Sequence, residues 1–268
     1  QNKNIKWVIY TLDTLSNKVK KKFLPKQFTN DKGWEWEKKL YKKADVIFNM
    51  KSHESHYKND RYKPYKDKMI IADIPLFKIE GQEDKFDVKD KKDNKLKFIY
   101  TGALDLGFRN PKYLCDLFLE FSNGRNCEMS FYSRGNCESL LQSFEKTSKG
   151  RIMRHGYKTP AEIDLIRHNA DFLVSIGNKN TDMIPSKIFE YMSTGKPIIH
   201  FYLDNDSSVK YLINYPLALL INEKDDFTYN LKKMKDFESR RNECVDLTKL
   251  LKDFELNTSR YIVDKIDL

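Results

Sequence analysis

The sequence has no apolar run of the roughly 18 residues that a membrane-spanning helix requires. It also has no signal peptide, and it begins with Gln1 rather than Met. We therefore expect a truncated or processed piece of a longer protein, from which a targeting segment could have been removed. Hydrophobic residues make up 40% of the chain and aromatic residues 13%, which is enough to build a folded core.

Cysteine is scarce, and its spacing argues against a metal centre. The four cysteines show no C-x-x-C pair and no nearby histidine pattern: Cys115, Cys127, Cys137 and Cys244. Reduced cytosolic thiols are the interpretation that fits this usage, rather than zinc ligands. The D-x-D string formed by Asp204 and Asp206 is interpreted as a helix cap, so we expect no metal site. The five histidines are scattered, and we assign catalysis to none of them.

Charge of one sign predominates, with a formal net charge of +10. Much of the excess lies in Lys18 to Lys22 and in the region from Lys38 to Lys68. Two interpretations stay open: a solvated lysine-rich surface, or attraction to an anionic partner such as a phosphorylated substrate or a membrane surface. No recognised nucleic-acid module accompanies the charge, so the sequence does not favour a nucleic-acid partner.

From residue 96 onward, short apolar runs alternate with segments of helical periodicity. Six runs are predicted as strands: KFIYT (97–101), MSFYS (129–133), RIMRH (151–155), DFLVSI (171–176), PIIHFY (197–202) and LALLI (217–221). Strands separated by helices predict a parallel sheet with helices on both faces. Ligands bind at the carboxyl ends of such strands. We therefore expect four loops to meet there: 102–109, 133–136, 156–159 and 177–186.

The first ninety-odd residues predict only two or three α/β units, from strands at 6–13, 44–50 and 69–77 and a helix at 34–43. Residues 80–95 are highly charged and are predicted to form a linker or exposed loop. Residues 246–266 have one apolar face and predict a helix or helix pair. These patterns suggest three regions: an incomplete N-terminal domain with linker at 1–95, a second domain at 96–245, and a C-terminal helix at 246–268 packing back on the first.

The stretch IPSKIFEYMSTGKPII (184–199) has a helix start signal at Ser186 and a stop signal at Gly195 and Pro197. Lys187 falls in the first turn, where the helix dipole disfavours a cation. An anion bound beside free backbone N–H groups would explain this placement, and phosphate is the usual occupant. One turn later, Glu190 could accept hydrogen bonds from the hydroxyls of whatever carries the phosphate. The segment therefore predicts half of a nucleotide site.

Three stretches in this order resemble the GT-B glycosyltransferases, and among them the retaining glycosyltransferase family 4. They are FIYTGALDLGFRNP (98–111), HGYKTPAEIDLIRHNADFLVSI (155–176) and TDMIPSKIFEYMSTGKPII (181–199). The resemblance covers about residues 96–245 well and residues 1–80 more loosely. It implies an α/β fold of two Rossmann-like domains with parallel sheets, of which the N-terminal one is incomplete here.

The resemblance also implies roles for individual residues. Glu190 would accept from the ribose hydroxyls, and Asp182, which stands where the family has a glutamate, would lie near the donor sugar. Ser186 and Lys187 would hold the diphosphate. Arg109, in the loop after Gly102, would be the second phosphate cation.

Two further positions complete the predicted site: Tyr157 is expected to meet the base, and Ser133 belongs to the predicted binding edge. Several of the predicted residues also have a simpler interpretation. Gly102 could be a turn glycine, Arg109 a surface arginine, Asp182 an ordinary loop acid, Ser186 an N-cap, and Glu190 a partner of Lys187 at i,i+3.

The resemblance thus implies an enzyme that transfers sugar from a nucleotide-sugar with retention of configuration, with UDP expected before GDP, and we expect it to need neither a metal nor a cofactor. The expected acceptor is a lipid-linked or surface glycan, at the cytoplasmic face of the cell membrane, where a basic region would favour peripheral association. The alternatives are a non-catalytic nucleotide or nucleotide-sugar binding module and a basic nucleic-acid-binding protein, which would bind DNA with steep salt dependence.

Overall fold

The computed structural model describes residues 5–12, 14–17, 26–78, 95–179, 185–203 and 206–266, without the side chains of residues 17 and 26–30. The predicted linker at 80–95 and the Lys18 to Lys22 run lie almost entirely outside these residues. Contacts within the chain divide it into two compact units, residues 1–77 with 254–268, and residues 78–253.

The first unit is built on three parallel strands, with β2 between β1 and β3. The strands and helices of this part of the chain are β1 (Val8–Thr11), α1 (Lys26–Lys43), β2 (Val46–Met50), α2 (Glu54–Tyr57) and β3 (Met69–Ala72). Short 3-10 helices at Leu15–Asn17 and Lys51–His53 and a longer one at Asp60–Lys68 lie between them. The predicted strand at 69–77 ends earlier than expected, and Asp73 N–H there donates to Leu256 O at 3.0 Å.

Tyrosines fill much of the core of this unit. Tyr41, Tyr57, Tyr62 and Tyr65 are buried with Ala44 and Ile47. The Tyr62 hydroxyl donates to Glu37 Oε2 at 2.7 Å, so a buried carboxylate gains a partner within the core. Buried hydroxyls and carboxylates of this kind are stable only when hydrogen-bonded.

The second unit contains a six-stranded, fully parallel sheet. Its elements are β4 (Leu96–Leu104), α3 (Lys112–Phe121), β5 (Cys127–Gly135), α4 (Glu138–Thr147), β6 (Ile152–Arg154), α5 (Pro160–His168), β7 (Phe172–Ile176), α6 (Lys187–Met192), β8 (Ile198–Tyr202), α7 (Val209–Leu212), β9 (Ala218–Asn222) and α8 (Phe227–Phe237). Across the sheet the strands follow the order β6-β5-β4-β7-β8-β9. All six strands predicted from the sequence are confirmed.

The chain continues through α9 (Leu247–Phe254) and α10 (Ser259–Ile266), with 3-10 turns at Glu238–Arg240 and Glu255–Asn257. The prediction of a helix pair in this region is confirmed. No helix within the described part of the chain is long and apolar enough to cross a bilayer.

Two strands of the second sheet run further than predicted. β4 and β5 pair over nine residues, from Leu96 opposite Cys127 to Leu104 opposite Gly135. Gly102 therefore lies inside β4 rather than at its end. The extension depends on Gly135, which has φ +127°, because a Cβ atom there would lie 1.8 Å from the carbonyl oxygen of Leu104. Because glycine has no side chain, the backbones can approach closely at this point, and β4 and β5 continue to pair to their last residues.

Candidate functional site

The loops that follow β4, β5 and β7 meet at one edge of the second sheet. Asn136, after β5, accepts from Leu106 N–H at 2.8 Å and donates to Asp105 at 2.8 Å, both after β4. Lys179 N–H, after β7, donates to Phe108 O at 3.1 Å. The predicted convergence of these loops is confirmed for their described residues, since neighbouring parallel strands place their carboxyl ends side by side.

Lys187 is the first residue of α6, and its side chain lies against the backbone of Gly102. A Cβ atom at position 102 would lie 3.3 Å from Cδ of Lys187 and 3.4 Å from its Cε. Gly102 has φ +142°, a conformation that a residue with a side chain rarely adopts. The glycine therefore leaves room for the lysine as well as permitting the backbone turn.

A buried tyrosine fixes α6 to β4 at this point. The Tyr191 hydroxyl accepts from the backbone N–H of Thr101 at 2.9 Å, next to Gly102. It lies 3.0 Å from the Thr101 hydroxyl as well. Because Tyr191 is buried, these hydrogen bonds set the position of Lys187 over the end of β4.

The charges of three arginines act on the Lys187 ammonium. Burial lowers the pKa of Lys187, and the charges of Arg167, Arg109 and Arg134 lower it further, while Glu190 opposes the shift. Among the described residues, no carboxylate forms an ion pair with the Lys187 ammonium. Lys187, Arg109 and Arg134 are called the cation cluster below.

Glu190 forms an ion pair with Arg167. Nη2 of Arg167 donates to Oε2 of Glu190, and the Arg167 side chain is only 7% exposed. The guanidinium also lies over the Tyr191 ring, 5.5 Å from its centroid. The ion pair found here is therefore with a residue 23 positions earlier, not the i,i+3 pair with Lys187 considered from the sequence.

Arg109 is oriented by the loop after β7. Its Nε donates to Oδ1 of Asn178 at 2.5 Å, while its backbone pairs with Asp105 in a short antiparallel bridge. The Arg109 guanidinium also forms a hydrogen bond with the buried Tyr100 side chain. Asn178 was not singled out from the sequence, and only the packing of the two loops reveals it.

Arg134 is the member of the cluster that sequence reasoning missed. It follows Ser133 at the end of β5 and is exposed. Its guanidinium lies 6.0 Å from the ring centroid of Tyr157, whose side chain is 69% exposed. A cationic residue directly after a predicted site serine was the available signal.

The remaining predicted residues fall at the same edge with different surroundings. Ser133 is half-buried in β5, paired in register with Gly102. Ser186 precedes α6 with helical φ and ψ, and its side chain makes no capping hydrogen bond. Asp182 lies outside the described residues. The structure thus brings Gly102, Ser133, Lys187 and Arg109 to one edge, with Glu190 turned to Arg167 and Tyr157 beside Arg134.

The described member of the D-x-D string, Asp206, lies just before α7, in keeping with the helix-cap interpretation. Oδ1 of Asp206 accepts from Ser208 N–H at 2.7 Å, just before α7, and Oδ2 lies 3.2 Å from Nε2 of the buried His200. Burial alone would raise the pKa of Asp206, but hydrogen bonds from His200 and Ser208 outweigh it, so this pKa is lowered. Asp206 thus caps the approach to α7. Asp204 lies outside the described residues.

No protein-family model matches this sequence, and no curated protein sequence matches it. Solved structures do resemble the chain in fold. WaaG, a glycosyltransferase involved in lipopolysaccharide biosynthesis, superposes with a TM-score of 0.53 at 9% identity, over 91% of this chain and 82% of WaaG. WaaB, a lipopolysaccharide outer core galactosyltransferase in its apo form, gives 0.56 at 12% identity, over 97% of this chain and 73% of WaaB.

A third similar structure is S. aureus TarM, as a mutant in complex with fondaparinux, alpha-GlcNAc-glycerol and UDP. Its TM-score is 0.52 at 11% identity, over 87% of this chain. This chain spans 45% of TarM's length. At these identities the likeness is one of fold. With the two parallel α/β sheets, it shows that the chain has the GT-B fold.

Proposed function

We propose that this chain is a glycosyltransferase that binds the diphosphate of a nucleotide-sugar at the cation cluster. The carrying observation is the cluster itself: Lys187, Arg109 and Arg134 lie at the carboxyl edge of a parallel sheet, and the carboxylate that acts on Lys187, Glu190, is held by Arg167. Three cations, whose one described acidic neighbour is already paired with an arginine, attract an anion of high charge. A diphosphate at the strand ends of a GT-B sheet fits that requirement.

The proposed reaction needs charge stabilisation more than proton transfer. When the sugar leaves a nucleotide-sugar, negative charge grows on the departing diphosphate. Fixed cations aimed at that charge lower the barrier, and Lys187 and Arg109 supply them without a metal. Asp182 would act near the donor sugar, and Ser186 would add a hydrogen bond to the phosphates.

The other predicted residues have supporting parts in this proposal. The Glu190 carboxylate, oriented by Arg167, would accept from ribose hydroxyls. Tyr157, beside Arg134, would meet the base, which we propose to be uracil. Ser133 and Gly102 would line the diphosphate site. Membership in the retaining family 4 follows from the sequence resemblance alone and remains part of the proposal.

The proposed acceptor is a lipid-linked or surface glycan at the cytoplasmic membrane face. WaaG and WaaB, whose folds are similar, act in lipopolysaccharide assembly by their names, and TarM has been solved with UDP. These likenesses support the proposed donor and acceptor classes at the level of fold. The basic region between Lys38 and Lys68 supports a site next to anionic lipid.

The test is isothermal titration of the chain with UDP and GDP in EDTA. We expect metal-independent binding of UDP, tighter than GDP. Lys187→Ala should weaken it by about 10- to 150-fold, since a hydrogen bond to a charged group contributes about 1.5–3 kcal/mol. Lys146→Ala, which removes an exposed lysine of α4, is the matched control and should leave affinity unchanged. Unchanged UDP affinity in Lys187→Ala would rule out the assigned site.

The second candidate is a binding module without turnover. It is favoured by one observation: the whole cation cluster belongs to the second unit, so the proposed phosphate contacts all lie within that unit. UDP release in the presence of UDP-sugars and glycan acceptors separates the two functions. UDP binding without any release over background would favour the binding module, and nucleotide-independent, salt-sensitive DNA binding would favour neither.

A further inference from the structure

A cavity of about 260 Å³ opens at the carboxyl ends of β7, β8 and β9, beside the first turns of α3. Its lining residues all lie in the second unit, and none of the eight residues predicted for the donor site is among them. Its volume is just below the range of about 300–1,000 Å³ that is usual for pockets of drug-sized ligands. The cavity therefore fits one small ring better than a nucleotide.

Aromatic side chains form three of its walls: Phe108, Tyr113 and Tyr202. Two contacts fix the position of Tyr113. Its hydroxyl accepts a hydrogen bond from Nδ2 of Asn230 at 2.9 Å, and its ring packs edge-on against the ring of Phe227, with 5.9 Å between the centroids. The Tyr202 ring lies parallel to the buried His200 ring at 6.0 Å. These two walls are supported by packing, and Phe108, 56% exposed, forms the outer one.

The polar groups of the cavity add up to no net charge. Lys112 and Asp116 pair with each other at 2.6 Å. Glu223 and Lys179 are the other two charged groups, and neither side chain has an ion pair or hydrogen bond within the described residues. Burial raises the pKa of the Glu223 carboxyl, and the nearby charge of Lys179 partly offsets this. Within the described residues, the Glu223 carboxylate can therefore accept a hydrogen bond from a ligand, and the Lys179 ammonium can donate one.

We propose that this cavity binds one neutral sugar residue of a glycan, separately from the nucleotide. The apolar face of a pyranose ring packs on aromatic rings, and its hydroxyls can donate to Glu223 and accept from Lys179 in the same pose. A charge sum of zero disfavours a phosphate, which the cation cluster would attract instead. The proposal rests on the proposed function for the choice of a glycan, but sugar binding can be measured without turnover.

The test is amide-shift mapping by NMR on the whole 31.9 kDa chain. The probes are the methyl glycosides of glucose, galactose and N-acetylglucosamine. At least one should shift the amides of Gly177, Lys179 and Glu223 in a saturable way. Glu223→Gln and Phe108→Ala should each lower its affinity at least fivefold. Glu35→Gln, on an exposed acid of α1, is the matched control and should not.

Titrations with UDP and with the glycosides test the donor site and the cavity separately. UDP should shift amides around Lys187 and leave the cavity amides in place. Absence of UDP binding with intact glycoside binding would contradict the proposed function alone. The cavity proposal is overturned if no glycoside shifts the cavity amides, or if both cavity variants bind as the parent does. It is also overturned if UDP-glucose shifts them and methyl glucoside does not, because the cavity would then hold the donor's own sugar.

Discussion

The cation cluster and the cavity lie at the same edge of one parallel sheet, yet their electrostatics differ. The cluster joins Lys187, Arg109 and Arg134, and the pKa of its lysine is lowered by burial first and by the arginine charges second. The cavity balances two acids against two lysines and surrounds them with aromatic rings. One sheet edge can thus present an anion-binding region and a neutral region, because each strand end contributes its own loop.

Sheet order explains how the two regions are kept apart. The cluster draws on β4 and β5 and on the start of α6, whereas the cavity draws on the ends of β7, β8 and β9 together with α3 and the loop before it. Arg109 and Phe108 are adjacent in sequence, and their loop is the link between the two. Variants that affect one region and spare the other therefore test the comparison directly.

The largest effect is expected from Arg167→Met. The change removes the arginine that forms the ion pair with Glu190. Breaking a buried pair costs about 3–5 kcal/mol, and we expect about 2–3 kcal/mol here because Glu190 is partly exposed. Urea unfolding measures the loss. UDP affinity should fall as well, since Glu190 then opposes the diphosphate, whereas glycoside binding in the cavity of the folded protein should not change.

Gly102→Ala should act next most strongly, and on the cluster alone. Its φ of +142° is unfavourable for alanine, and the new Cβ presses on Lys187. Backbone strain of this kind costs about 1–3 kcal/mol. We expect weaker UDP binding by calorimetry with an unaltered cavity response by NMR. Equal loss at both regions would mean that they are not independent.

The pH dependence of UDP binding should reveal Lys187. Its pKa is lowered in the free protein, and a bound diphosphate favours the protonated form. UDP affinity should therefore fall as pH rises through that lowered pKa, by at most about tenfold per pH unit for one proton. Calorimetry from pH 7 upward, in buffers of different ionisation enthalpy, would detect the linked proton uptake. Lys187→Ala should abolish this slope, and a slope that persists would point to another group.

The smallest effect is expected from Thr159→Ala, which affects neither region directly. Thr159 begins α5 in a reciprocal capping box with Glu162. Loss of such a cap costs about 1 kcal/mol of stability. Thermal unfolding should show this decrease, with UDP and glycoside affinities within error of the parent. A change in UDP affinity would mean that the cap also orients Tyr157, two residues earlier in the same loop, and a change in glycoside affinity would mean that this loop acts on the cavity.

Prediction from the sequence succeeded where the signal is local. Apolar runs, most of them bounded by glycine, placed all six strands of the second sheet, and Thr159, Pro160 and Glu162 placed the start of α5. It was less successful at the ends of β4 and β5. Their extension depends on Gly135 meeting Leu104, a contact between segments about thirty residues apart. No periodicity within either strand encodes such a contact.

The candidate site divides in the same way. By itself the sequence determined the α/β alternation and the position of Lys187 at a helix start, since both depend on neighbours within a few residues. Only the tertiary structure decided that Arg134 joins Lys187, that Arg167 holds Glu190, and that Glu223 and Lys179 share a cavity. Side chains so distant in sequence meet because strand order and loop packing bring them together, and the electrostatics of a site follow distance in space.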